Sequence, residues 1–256
     1  MPATTDPFAA HYAALEARHL SQLRFAEVRR ALQALSSLYV ERRGRMARGD
    51  AFGGAGKRAA FALYFGPLHF LLVREIVRAL GPSLGRVRRI LDLGCGTGAA
   101  GAAWALEQTP QAMVDGLDAS GWAVAEARWT LRQLGLRGEV HRDDVTRGPW
   151  PQGPAGVLAA FTVNELGDPA RACLLARLLE ATRSGSAVLV VEPIARRVSP
   201  WWPEWAAAFR AAGGREDEWR FRPARPVTLA LLAKAAGLDA RELTGRSLAF
   251  AAAPRS

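Results

Sequence analysis

The segment that most constrains this chain is Arg89-Ile90-Leu91-Asp92-Leu93-Gly94-Cys95-Gly96-Thr97-Gly98, followed by Ala99-Ala100-Gly101-Ala102-Ala103-Trp104-Ala105-Leu106. A short apolar run enters a glycine-rich turn and an alanine-rich helical pattern leaves it, so the spacing predicts strand, tight loop and helix. Glycines at alternate positions let the backbone approach a ligand with no Cβ in the way. The helix that begins near Gly98 points its free N–H groups into the same space. Gly96, Gly98 and Gly101 formally satisfy the Gly-x-Gly-x-x-Gly pattern of dinucleotide turns. Asp92 argues against a pyrophosphate, which its carboxylate would repel, and for a ligand that presents an ammonium group. The bland alternative is a glycine-rich turn with no ligand.

Acids recur at the ends of the strands that follow. Ala112 to Asp118 reads as a second strand, and an acid at its end is placed to accept both hydroxyls of a ribose. The other reading of Asp118 is the N-cap of the helix that Asp118-Ala119-Ser120 opens and that runs through Leu134. Gly138 to Val145 gives a third strand, closing on Arg142-Asp143-Asp144-Val145. Gly156 to Phe161 gives a fourth, followed by Thr162-Val163-Asn164-Glu165-Leu166 at the border of the ligand crevice of an open α/β sheet. Asp168-Pro169 opens a helix through Arg183, and Ala187 to Pro193 is a fully buried fifth strand. Trp201 and Trp205 share one helical face just after Arg196-Arg197. They either pack a helix on the sheet or stack bases. Thr228 to Ala236 is a helix closed by Gly237, and Arg241 to Leu243 with Ser247 to Ala252 supply the last two strands.

Asp-x-Gly-x-Gly-x-Gly after a first strand, with acids ending strands one to three, resembles the core of the class I S-adenosylmethionine-dependent methyltransferases over roughly residues 86–256. The resemblance implies an α/β, Rossmann-like fold: a seven-stranded, mostly parallel sheet with helices on both faces. It implies S-adenosyl-L-methionine as cofactor, with Asp92, Gly94, Cys95, Gly96 and Gly98 at its amino-acid end and Asp118 and Ala119 at the ribose. Asp144 and Val145 would meet the adenine, and Phe161 ends the strand beside the reactive methyl. Asn164 is the candidate for orienting the nucleophile and Glu165 for accepting a proton; both alternatively just cap the following turn.

The first 85 residues read differently. From Asp6-Pro7, an N-cap with proline at the first helical position, the apolar spacing predicts one long helix, or two separated near Ser21, ending at Gly44. Arg42, Arg43, Arg45 and Arg48 cluster there, and Gly53-Gly54-Ala55-Gly56 is a loop. Lys57 to Leu80 is helical with an interruption at Gly66-Pro67, and Gly81-Pro82 to Gly85 joins this basic helical domain (1–85) to the cofactor domain (86–256). Of the formal net charge of +10, residues 1–89 carry +9, from 15 Lys+Arg against 6 Asp+Glu. Such asymmetry suits an anionic partner, unless the arginines pair with acids of the second domain and dock the cap. Leu35-Ser36-Ser37-Leu38-Tyr39, Lys57 to Leu63, Asn164-Glu165-Leu166 and Val191-Glu192-Pro193 resemble a methyltransferase family named for a mitochondrial small-ribosomal-subunit protein. That resemblance implies ribosomal RNA or the small ribosomal subunit as partner. The family's cysteine cluster after strand five is missing, so no iron–sulfur centre carries over. The expected function is therefore methyl transfer to RNA or the small subunit. A small-molecule or protein acceptor, and a non-catalytic ribosome-assembly factor, are the alternatives.

Two cysteines, Cys95 and Cys173, make no disulfide framework, and His11, His19, His69 and His141 show no metal-ligand spacing. With no signal-peptide pattern after Met1, the expectation is a cytoplasmic protein. The longest apolar run, Phe61 to Val73, is too short to span a membrane.

Overall fold

The structure, a computed structural model, describes residues 6–41 and 53–252. Seven strands form one sheet: β1 (Arg89–Leu93), β2 (Met113–Asp118), β3 (Val140–Arg142), β4 (Gly156–Ala160), β5 (Ala187–Glu192), β6 (Arg215–Phe221) and β7 (Leu243–Phe250). Their order is β3-β2-β1-β4-β5-β7-β6. β1 to β5 run parallel, and β7 lies antiparallel to both β5 and β6. The chain moves outward from β1 to β3 and then returns to place β4 on the other side of β1. That reversal opens a crevice at the C-terminal ends of β1 and β4, where open α/β sheets hold their ligands.

Among the described residues, four α-helices precede the sheet: α1 (Pro7–Leu20), α2 (Phe25–Glu41), α3 (Ala55–Ala60) and α4 (Gly66–Leu80). The Asp6 carboxylate accepts the Phe8 N–H at 3.1 Å, which caps α1 as the sequence suggests. The break near Ser21 is real and gives two helices. The arginines at 42, 43, 45 and 48, and the expected end at Gly44, lie outside the described residues. At Gly66-Pro67 the expected interruption does not occur. Residues Phe61–Phe65 form a π-helical turn in which the Gly66 N–H reaches the Phe61 carbonyl. The widened turn absorbs the proline, which becomes the start of α4 rather than a break. The continuous stretch Ala55–Leu84 is long and apolar enough to cross a membrane, but 78% of its most apolar window is buried inside the fold.

Five helices complete the molecule: α5 (Ala99–Leu106), α6 (Gly121–Gln133), α7 (Asp168–Arg183), α8 (Trp202–Ala211) and α9 (Val227–Ala236). One face of the sheet packs against Leu174 and Leu178 of α7 and Trp202, Trp205 and Phe209 of α8. The other packs α5, α6 and α9 together with the N-terminal helices: Phe8, Tyr12, Leu32 and Phe70 share one apolar cluster with Ile90, Ala102 and Val114. The division at residue 85 thus follows the chain order, while the core runs across it.

The end of the sheet differs from expectation. β7 is one strand over Leu243–Phe250, and the sixth strand is Arg215-Glu216-Asp217-Glu218-Trp219-Arg220-Phe221. A segment charged or aromatic at every position shows no apolar alternation. It forms a strand because it is the edge of the sheet, where charge is tolerated and discourages further pairing. β3 is also shorter than the expected run to Val145.

Candidate active site

Three glycines of the turn adopt positive φ: Gly94 at 67°, Gly96 at 54° and Gly98 at 74°. At Gly94 a Cβ would fall 2.5 Å from Thr162 Oγ1, and that hydroxyl in turn donates to the Leu93 carbonyl at 2.8 Å. The N–H groups of Gly94 and Cys95 both reach the Leu117 carbonyl, at 2.8 and 3.0 Å, pinning the turn to β2. Over Gly96 a Cβ would meet only the Phe61 ring, at 3.6 Å, so side-chain and not backbone atoms bound the space above it. This is a cradle built for close approach.

The acids sit where expected but are held differently. Asp92 is 1% exposed and accepts the Gly101 N–H at 2.9 Å, tying β1 to the first turn of α5. Gly101 is required there, since a Cβ would come 2.7 Å from that same carboxylate oxygen. Burial raises the Asp92 carboxyl to about 7, opposed by the Gly101 N–H and reinforced by the charge of Asp118. Asp92 therefore braces the end of β1 against α5. Asp118 is buried and spans the opening: one oxygen accepts the Gly96 N–H at 3.0 Å, the other the Ser120 N–H at 2.8 Å. Ser120, not Asp118, is the N-cap of α6. Asp144 is exposed and accepts both the N–H and the hydroxyl of Thr146, at 2.7 and 2.6 Å, while Val145 is buried behind it. Ala119 follows Asp118 with its carbonyl held by Arg142 at 3.0 Å.

Across the crevice, the predicted polar pair behaves unlike the acids. The Asn164 side chain donates to Glu192 Oε2 at 2.6 Å and accepts from the Trp201 indole N–H at 2.9 Å. An indole N–H only donates, so the amide orientation is fixed. Glu192 Oε1 also receives the N–H groups of Val163 and Asn164, at 2.9 and 3.2 Å. Burial raises the Glu192 carboxyl to about 8 against the pull of those donors. Asn164 is thus a strut joining the end of β4 to β5 and α8, while Glu165 is exposed. Trp201, Trp202 and Trp205 are buried between α8 and the sheet, so packing, not stacking on a ligand, is their role.

The residue the sequence reading missed is His69. Phe161 closes β4 with φ of 57°, which is unusual for a residue with a Cβ and costs on the order of 1–3 kcal/mol. Its ring stacks on the His69 imidazole at 3.9 Å and 13°. Phe61 meets His69 edge-on at 6.1 Å and Trp122 at 6.4 Å. Gly66 crosses so near the turn that a Cβ would fall 2.6 Å from Thr97 Oγ1. The π turn and the start of α4 thus lay Phe61, Gly66 and His69 along Gly96, Thr97 and Phe161. No local pattern in the sequence marks His69; its partners come from strands and loops distant in the chain. Burial lowers its imidazole to about 3, with no acid opposing the shift, so the ring is neutral.

Several basic side chains of the N-terminal helices bind acids of the sheet region. Arg18 and His19 clamp the buried Glu126 at 3.0 and 2.9 Å, and Arg78 meets Glu107 at 2.9 Å. Among the described residues no group of three or more His, Cys, Asp or Glu is placed to hold a metal ion.

Residues 90–185 match the family profile described as "Methyltransferase domain". No curated protein matches the chain. Among solved structures, a putative O-methyltransferase from Nostoc punctiforme PCC 73102 superposes with a TM-score of 0.53 at 14% identity, covering 88% of this chain and 69% of that one. An O-methyltransferase family protein from Burkholderia thailandensis superposes with a TM-score of 0.52 at 15% identity, covering 97% of this chain and 72% of the other. At these identities the two structures establish the fold: the Rossmann-like sheet with its helical N-terminal region. The glycine cradle, the acids at the ends of β1 to β3 and the absence of a Cβ over Gly96 fit S-adenosylmethionine, the cofactor of this domain class.

Proposed function

We propose that the protein, whose residues 90–185 match a methyltransferase domain, uses S-adenosylmethionine to methylate a small molecule with a flat face, taken up under the helical cap at the end of β4. The observation that carries this reading is the aromatic wall of Phe61, His69 and Phe161, set by the π turn against the glycine cradle. Pockets for small ligands are largely apolar with few placed polar groups, and this wall has that character. S-adenosylmethionine, when bound, supplies a methyl group already activated on a sulfonium sulfur. Gly94, Cys95, Gly96 and Gly98 would cradle it, with Asp118 and Ala119 at the ribose and Asp144 and Val145 at the adenine. The remaining work of the protein is to aim the acceptor and keep water out, which Phe61, Phe65, Trp122 and Phe161 suit.

A second reading keeps the small ribosomal subunit, through its RNA, as substrate. It is supported by the +9 of residues 1–89 and by the resemblance of the N-terminal stretches to the ribosome-associated family. Against it, Arg18 and Arg78 are engaged by Glu126 and Glu107 and so dock the cap. Both readings fit a cytoplasmic enzyme with free thiols at Cys95 and Cys173. Methyl-labelled cofactor incubated with the protein and a cell extract, then separated into small-molecule, RNA and protein fractions, decides. Label in small molecules is expected. Label in RNA moves the assignment to the second reading, and label in protein overturns both.

A further inference from the structure

We propose that His69 is a catalytic residue whose ring nitrogen takes the proton of an O–H or N–H methyl acceptor during transfer. The proposal rests on the small-molecule reading above and narrows it to acceptors that have a proton to lose. His69 stands beside Phe161, at the end of the strand that borders the crevice, and edge-on to Phe61, which lies over Gly96. Its neighbours on this wall offer no basic atom: phenylalanine has none, and the Trp122 indole N–H only donates. Three other polar groups at the crevice are committed. Asp92 and Asp118 accept backbone N–H groups of the turn and loop, and the Asn164 amide is tied to Glu192 and Trp201. Neither ring nitrogen of His69 has a hydrogen-bond partner among the described residues, and the ring stacks on Phe161 and meets Phe61 edge-on. An imidazole that is held by stacking and left without a polar partner has a lone pair to offer.

The step balances as follows. The acceptor oxygen or nitrogen forms a bond to the methyl carbon with its lone pair. The carbon–sulfur bond breaks, its electrons neutralising the sulfonium. The proton on the acceptor atom moves to His69, and from there to solvent as the product leaves. An alcohol, a phenol or a ring N–H needs such a proton sink, because methylation without it leaves a cationic product. A carboxylate or a thiolate has no use for it. Desolvation lowers the His69 imidazole to about 3 in the free protein. Its lone pair is therefore free at neutral pH but weakly basic, and it takes the proton only as the forming bond to the methyl carbon makes the acceptor's O–H or N–H strongly acidic.

The test compares wild type with His69→Phe, which preserves the stack on Phe161 and removes both nitrogens. Methyl transfer from labelled cofactor into the small-molecule fraction should fall by about 100-fold or more, as for loss of a general base. The affinity for S-adenosylhomocysteine should stay within about twofold, since no proton moves on binding. His69→Gln makes the same comparison if the phenylalanine variant does not fold, its amide being unable to take a proton. A readout independent of turnover is the carbon-detected resonance of the His69 ring, identified by its loss in His69→Phe. It should not titrate between pH 5 and 8, and it should shift when S-adenosylhomocysteine is added. Transfer at the wild-type rate by either variant overturns the role of His69 alone, as does a resonance indifferent to S-adenosylhomocysteine. Wild type that binds S-adenosylhomocysteine yet labels no small molecule overturns the small-molecule reading, and this role with it.

Discussion

The two walls of the crevice are built on opposite principles. On the β1–β2 side, the glycine turn demands particular backbone angles, and the acids that serve it lie within hydrogen-bond reach of its N–H groups. On the β4 side Asn164 turns inward, and the wall is completed by His69 from a helix that precedes the whole sheet. The first wall is local in the chain and rigid by covalent geometry. The second is assembled at long range and depends on packing. Catalytic chemistry can be varied on the second without disturbing the cofactor cradle on the first.

If that contrast is right, the largest effect of a single methyl group among the glycines of the turn should come at Gly94. Its φ of 67° and the 2.5 Å approach to Thr162 Oγ1 make Gly94→Ala both strained and crowded. A loss of about 2–6 kcal/mol in stability is expected from the two terms together, with binding of S-adenosylhomocysteine abolished in calorimetry. Gly121 is the control: it meets nothing within 4 Å, and its change to Ala should be neutral or stabilising by up to about 1 kcal/mol. Equal behaviour of the two variants would show that the cradle is not rigid.

Asp118→Ala comes next. It removes the acceptor for the Gly96 and Ser120 N–H groups, and cofactor affinity should fall by about 1.5–3 kcal/mol. Stability should fall less than affinity. The reverse ranking would make Asp118 a structural brace and take the ribose contact away from it.

Asn164→Ala probes the second wall. Glu192 would lose one donor and the Trp201 N–H its acceptor, so unfolding free energy should drop by about 1–3 kcal/mol with affinity for S-adenosylhomocysteine little changed. A variant that unfolds like wild type but turns over far more slowly would restore Asn164 as the group that aims the nucleophile, and would erase the contrast between the walls.

What could be read from the sequence divides along the same line. The strand, turn and helix around Gly94 to Gly98 were legible because glycine spacing and the acid before it are consequences of local backbone geometry. β5 was legible because a strand buried on both faces is a plain apolar run. β6 was not, since an edge strand made of Arg215, Glu216, Asp217 and Glu218 carries no burial signal. Gly66-Pro67 pointed to a break because proline removes a helical donor; a π turn, which accommodates it, has no signature in residue type. His69 was visible only as a histidine outside any metal pattern. Its stacking on Phe161 depends on how α4 crosses the sheet, and that crossing is fixed by core packing spread over the whole chain.

The smallest effect expected is a dependence of stability on pH, and it separates the two walls by their buried carboxyls. Asp92 behind the first wall is raised from 3.8 to about 7, and Glu192 behind the second from 4.5 to about 8. In both cases the folded state holds a proton that the unfolded chain has given up. Their contribution is complete below the unfolded values and is lost as pH rises through 7 and 8. Buried histidines act in the opposite sense: His11 is lowered from 6.5 to about 4 and His69 to about 3, so their contribution is present above 6.5 and lost as pH falls toward those values. Between roughly pH 4.5 and 6.5 the folded chain holds two extra carboxyl protons and the unfolded chain two extra imidazole protons, so stability should be nearly flat there. Above that range it should fall, by on the order of 1 kcal/mol per pH unit for each carboxyl. Urea unfolding of the free protein from pH 6.5 to 8.5 measures the slope. Glu192→Gln should lower stability at every pH by disturbing Asn164, yet make the alkaline slope shallower by about that amount, while leaving the part due to Asp92. An unchanged slope would mean that the N–H groups of Val163 and Asn164 already hold Glu192 as a carboxylate in the fold. The second wall would then carry a fixed buried charge a few residues from Phe161, and the neutral, packing-built character assigned to it would be wrong.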